Sequence, residues 1–60
     1  TSKIARNKRL LLGFSQEYMG LNLGINQKSY SKLENGHTSM SLVTYIKVCQ
    51  ILDIDPKELL

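Results

Sequence analysis

Gln27, Lys28, Ser31 and Lys32 stand within six positions of one another. A glutamine amide can pair bidentately with adenine, a lysine ammonium can donate to guanine O6 and N7, and a serine hydroxyl can do either. At about 100° per residue, Lys28, Ser31, Lys32 and Asn35 share one side of a helix. Gln27 lies at its start and flank. Tyr30, Leu33 and Glu34 share the other side. The stretch therefore reads as a helix with an inner apolar face and an outer face of amide, ammonium and hydroxyl groups. Base reading in a major groove requires such groups on the early, outward part of a helix. Gln27, Lys28 and Lys32 are the candidate base readers, and Ser31 is a secondary one. A solvated helix face is the rival reading of the same residues.

That helix needs a mount. The stretch from Gln16 to Asn35, QEYMGLNLGINQKSYSKLEN, supplies the pattern for one. Met19, Ile25, Tyr30 and Leu33 are apolar, Gly20 is small where two helices would cross closely, and Gly24 sits between two helical patterns. Two short helices meeting at a steep angle need these features. Ser15 caps the first, which runs from Gln16 to about Leu23, and Asn26 caps the second, from Gln27 to Asn35. Gly24 and Gly36 end them. The free amides and positive dipole end near Ser15 and Gln16 suit a phosphate. Asn35, His37 and Thr38 are candidate backbone grips on the far side.

The flanking elements are helical as well. Residues 3–12 form a first helix with Ile4, Lys8 and Leu11 on one stripe, Ala5 and Leu12 beside it, Ser2 as N-cap and Gly13 as the C′ residue. Ser41 caps a fourth helix to about Leu52, whose inner stripe is Leu42, Tyr45, Ile46, Cys49 and Leu52, widened by Val48 and Ile51. Asp55, Pro56 and Glu58 open a short fifth helix through a capping box. Glu34 falls on the inner side of its helix, where a lone carboxylate is costly, and Arg9 from the first helix is its expected ion-pair partner. Tyr30 reads as core. Tyr18 and Tyr45 stand between core edge and interface.

Sixty residues with a net charge of +3 and one cysteine bound the possibilities. The chain is one small domain, 1–60, and it does not begin with Met, so it reads as a processed product or a fragment. A single thiol cannot form an internal disulfide and fits a reducing cytoplasm. No apolar run approaches the roughly 18 residues of a membrane span. Residues 1–40 carry six bases against two acids, and residues 41–60 carry two bases against three acids. The basic front would draw in a polyanion. One histidine offers no metal site, and there is no Ser/His/Asp set, glycine-rich phosphate loop or carboxylate pair on a helix face. No cofactor, metal or small-molecule substrate is expected.

The run SQEYMGLNLGINQKSYSKLENG resembles the helix-turn-helix of the Cro and phage-repressor type, the XRE family. Ser15, Gln16, Leu23, Gly24, Ile25, Ser31, Glu34 and Gly36 match its common pattern, with Met19 in place of Leu. Gly20 stands where Ala is usual, which should loosen the second helix. Asn26 replaces the Ser or Thr cap with an equivalent group. The closing SLVTYIKVCQILDIDPKELL resembles the family's last two helices, although Asp53 stands where Gly often ends the fourth, so that turn should differ in shape. The resemblance implies a compact, all-α, five-helix lambda-repressor-like domain that binds operator DNA, usually as a homodimer and usually in a bacterium or phage. It implies base contact at Gln27, Lys28 and Lys32, phosphate contact at Gln16 and Asn35, and the Arg9–Glu34 pair. It also implies a nucleoid-associated cytoplasmic location. Ile54, Leu59 and Leu60 are candidates for a dimer surface or for packing within the monomer. The expected function is sequence-specific transcriptional regulation through a palindromic operator. The alternative is a protein-interaction module of the same fold, antitoxin or coactivator-like.

Overall fold

The computed structural model describes residues 2–59, with side chains for residues 3–57. It contains α1 (Ser2–Leu11), α2 (Gln16–Leu23), α3 (Gln27–Glu34), α4 (Leu42–Leu52) and a closing 3₁₀ helix (Pro56–Leu59). The all-α class is as expected. The fifth helix, however, is a 3₁₀ turn rather than an α-helix. A four-residue segment is too short to propagate an α-helical ladder, and 3₁₀ geometry is favoured in such short pieces. Asp55 Oδ1 accepts from the Lys57 N–H at 3.0 Å and holds its start. The expected roles of Ser2 as a cap, Glu58 in a capping box, and Leu59 and Leu60 at a dimer surface lie outside the described side chains.

Short polar side chains set three of the helix starts. Ser15 Oγ accepts from the Tyr18 N–H at 2.9 Å, Asn26 Oδ1 from the Ser29 N–H at 2.7 Å, and Ser41 Oγ from the Thr44 N–H at 3.2 Å. Each cap contributes about 1 kcal/mol. Gly24 ends α2 in the left-handed region at φ 74°. Asp53 ends α4 in the same way at φ 54°, its N–H directed to the Cys49 and Gln50 carbonyls. The turn after α4 thus keeps the shape a glycine would give it, contrary to the expectation from sequence. Aspartate is among the few non-glycine residues enriched in this region.

Met19, Tyr30, Val48 and Leu52 are fully buried, and Ala5, Cys49 and Ile54 complete the core. Ile54 therefore packs within the monomer and is not free to form a dimer surface. The Tyr45 hydroxyl donates to the Pro56 carbonyl, which places Tyr45 at the core edge and ties the 3₁₀ helix to α4. Two expected stripes are displaced. In α1 the buried line is Ala5 and Arg9, while Ile4 is exposed and Leu11 is 79% exposed. In α4 the inner face is Tyr45, Val48, Cys49 and Leu52, while Leu42 and Ile46 join Val43 on the outside. The α1 core line combines a small residue with a charged one, which an apolar count passes over. α4 is apolar on two adjacent faces, so its periodicity does not say which one is covered.

Gly20 is buried where α2 meets the turn into α3. A Cβ there would lie 2.8 Å from the Ile25 carbonyl oxygen and 3.3 Å from the Asn26 carbonyl carbon and oxygen. The Ile25 N–H also bonds the Gly20 carbonyl at 2.9 Å. Glycine costs about 1 kcal/mol inside a helix relative to alanine. In return its missing side chain lets the turn close directly onto the α2 backbone. Gly20→Ala is expected to lower the melting temperature despite the better helix former. Overpacking costs about 1–3 kcal/mol, and the obstructing atoms are backbone. A thermal melt followed by circular dichroism checks this; a rise in Tm would show that the turn yields without strain.

Candidate nucleic-acid interface

α3 packs against α2 on one side and α1 on the other, and this orientation divides its residues. Tyr30 and Glu34 are buried and Leu33 is half-buried; Gln27, Lys28 and Lys32 are exposed and Ser31 is half-buried. Asn35 is the C-cap rather than a helical residue. Its side-chain amide donates back one turn to Ser31 Oγ at 3.2 Å.

The outward residues of α3 do not stand alone. Gln16, Gln27, Lys28, Ser31, Lys32, Asn35 and His37 line a single open groove. Gln16 comes from the first turn of α2, His37 from the loop after α3, and the rest from α3 and its C-cap. The lining holds two ammonium groups, three amides, a hydroxyl and an imidazole, and no carboxylate. Such a surface presents donors and positive charge to a polyanion. Of the other candidates, Ser15 and Thr38 are exposed but outside the lining. Ser15 already spends an oxygen lone pair on its capping bond. Among the described residues, no cluster of His, Cys, Asp and Glu is placed to hold a metal. No described helix is long and apolar enough to cross a membrane.

Beneath the groove, Arg9 and Glu34 meet in the interior, with residue exposures of 7% and 4%. Arg9 Nε and Nη2 donate to Glu34 Oε2 and Oε1 at 2.8 and 2.9 Å, a bidentate pair. The remaining nitrogen, Nη1, donates to the Phe14 carbonyl at 2.8 Å. Phe14 has no helical spacing to mark it, so its sequence position alone does not point to this role. Its ring packs against Tyr18 in a tilted arrangement, with centroids 4.5 Å apart, and its carbonyl fixes the link between α1 and α2 to the same guanidinium. Burial alone would raise the Glu34 pKa. The hydrogen bonds and charge of Arg9, with help from the Tyr30 hydroxyl and the Gln16 amide, reverse this, and the carboxyl titrates below its ordinary value. Burial, and then the Glu34 charge, push the Tyr30 phenol up and keep it protonated. Burial also raises the Cys49 thiol, which sits as a small core residue.

Comparison with known proteins places this architecture. The helix-turn-helix family model matches residues 6–59. The crystal structure of the restriction-modification controller protein C.AhdI from Aeromonas hydrophila is similar, with a TM-score of 0.85 and 32% identity. The match covers 98% of this chain and 86% of that chain. No curated protein sequence is significantly similar.

The ion pair makes stability depend on pH in a definite direction. Because the folded-state pKa of Glu34 is depressed, its contribution is fully present above the ordinary value of 4.5. It is lost as pH falls through the lower folded value. Urea titrations at neutral pH, pH 4.5 and pH 3 should show the main loss between the last two. Glu34→Ala strands a buried guanidinium and should cost about 3–5 kcal/mol at neutral pH, and it should flatten that acid response. Equal stability of the two proteins would remove the pair as a structural element.

Proposed function

The chain belongs to the helix-turn-helix family of DNA-binding transcription regulators, and on that footing we propose that it reads duplex DNA sequence-specifically with α3 in the major groove. The observation that carries this reading is the groove in which Gln27, Lys28, Ser31 and Lys32 stand together with Gln16, Asn35 and His37. Gln27, Lys28 and Lys32 contact base edges, with Ser31 between the two lysines. Ser15 and Gln16, at the positive end of the α2 dipole, take a phosphate on one side. Asn35, His37 and Thr38 hold the backbone on the other. The likeness to a restriction-modification controller supports regulation at an operator rather than general DNA packaging.

The regulator acts as a homodimer on a palindromic operator. Recognition helices in successive major grooves sit about 34 Å apart. The domain measures 26 × 24 × 17 Å, so two copies at that spacing are near neighbours. The outer face of α4 is the surface suited to their contact. Leu42, Val43 and Ile46 are exposed there by 73%, 64% and 41%, and Lys47 is the face's only charge.

Lys28→Ala and Lys32→Ala should abolish preference for the cognate site while leaving the helical spectrum and melting temperature intact. Selection from a random duplex pool, run on wild type and both variants, measures this. Unchanged site selectivity in both would refute the base-reading assignment. The salt dependence of binding separates the two function classes: six or more phosphate contacts give a steep slope, and an interaction module gives a shallow one. Leu42→Glu puts an acid in the first turn of α4, where the helix dipole accepts it. It should leave the monomer folded and shift sedimentation from dimer to monomer; an unaltered dimer would exclude the α4 face.

A further inference from the structure

We propose that Asn35 and Ser31 work as one hydrogen-bonded unit, in which Asn35 is a positioning residue that sets Ser31 as a donor toward the base edge it faces. The inference rests on the DNA-reading function above and concerns how one position of the site is chosen.

A serine hydroxyl carries one proton and two lone pairs, so by itself it satisfies a donor or an acceptor equally and discriminates little. Ser31 is not by itself. Its oxygen accepts from the Asn35 amide nitrogen at 3.2 Å. One lone pair is thereby occupied, and the hydroxyl proton is turned away from the incoming N–H. Among the described residues no other hydrogen bond involves that hydroxyl, so its proton is available to the groove that both residues line. A serine inside a helix often gives its proton to the carbonyl four residues back; no such bond to Gln27 forms here.

The remaining groups are consistent with this division. Asn35 keeps a second amide N–H, which leaves it able to take the phosphate contact proposed for it. Its carbonyl oxygen is an acceptor that no phosphate can use. Lys28 and Lys32, one turn apart on either side of Ser31, are donors only. The central part of the groove therefore presents donors throughout. In the major groove guanine and thymine offer acceptors without a donor, adenine offers both an acceptor and a donor, and cytosine offers only a donor. Ser31 should favour guanine or thymine on the strand it faces.

The test uses the substitution that reverses the polarity of the unit. In Asn35→Asp the carboxylate can only accept, so Ser31 donates to it and turns a lone pair toward the DNA. Selection from a random duplex pool is run on wild type, Ser31→Ala, Asn35→Asp and the double variant, each first shown by thermal melt to be folded. Ser31→Ala identifies the base position, as the one whose preference flattens. There, wild type should favour guanine or thymine over cytosine by roughly fivefold, the worth of one hydrogen bond of about 1 kcal/mol. Asn35→Asp should invert this toward cytosine or adenine, whatever its added charge does to overall affinity. In the Ser31→Ala background, Asn35→Asp should no longer alter the position. If Ser31→Ala flattens a position that Asn35→Asp leaves unchanged, or if wild type favours cytosine there, the proposed unit is wrong while the DNA-reading function stands. If wild type selects no sequence at all, the reading function fails and this inference fails with it.

Discussion

The Arg9 guanidinium is the point through which most of the architecture is tied. Two of its nitrogens hold Glu34 on α3, and the third holds the Phe14 carbonyl at the entrance to α2. One side chain thus fixes α1, the link that follows it, and the helix that carries the outward polar face. Taking both charges out of water is costly, and only a well-formed pair with its remaining donors satisfied offsets that cost. Bidentate geometry meets the requirement and allows a single arrangement. An apolar contact in the same place would tolerate a range of angles. In a chain of this size, which buries only roughly 60% of its unfolded surface, that distinction decides whether α3 has one orientation or several.

The division of α3 follows from this anchoring. Tyr30, Leu33 and Glu34 are committed inward, and the phenol and carboxyl hold each other in defined protonation states. Gln27, Lys28 and Lys32 are left with no structural duty. At the edges of the groove, Gln16 and His37 come from a helix start and a loop whose backbones are fixed by the Ser15 cap and by Gly36, and Gln16 also supports the Glu34 carboxylate from above. The groove-lining groups sit on elements whose geometry is determined largely by other residues.

The helix starts were legible because capping has a local cause: Ser15, Asn26 and Ser41 each stand one residue before a helix that begins where they say. The inner and outer faces of α3 were legible because its apolar and polar residues separate cleanly around the axis. α1 and α4 were read less well for physical reasons. In α1 the apolar stripe was misplaced because Arg9 is buried by a partner 25 residues away; the pair itself was legible, because a carboxylate on the inner side of α3 requires a cation. Leu42 and Ile46 carry the hydropathy of core residues and lie outside. Phe14 was silent because its contribution is made by a backbone carbonyl, which every residue possesses. The open groove was visible only in part, since the nearness of Gln16 and His37 to α3 is a product of how the helices cross.

That crossing is set at Gly20, where backbone lies directly against backbone. Two kinds of substitution therefore differ in scale. Exchanges among residues 27, 28, 31 and 32 change the exposed face of α3 one group at a time and leave the buried contacts of Tyr30 and Glu34 as they are. A side chain at position 20 would press on the Ile25 and Asn26 carbonyls in the turn that leads into α3, so its effect would reach the helix as a whole rather than one contact. The outer face of α3 can therefore be altered side chain by side chain, while the glycine beneath governs how the helix as a whole is seated.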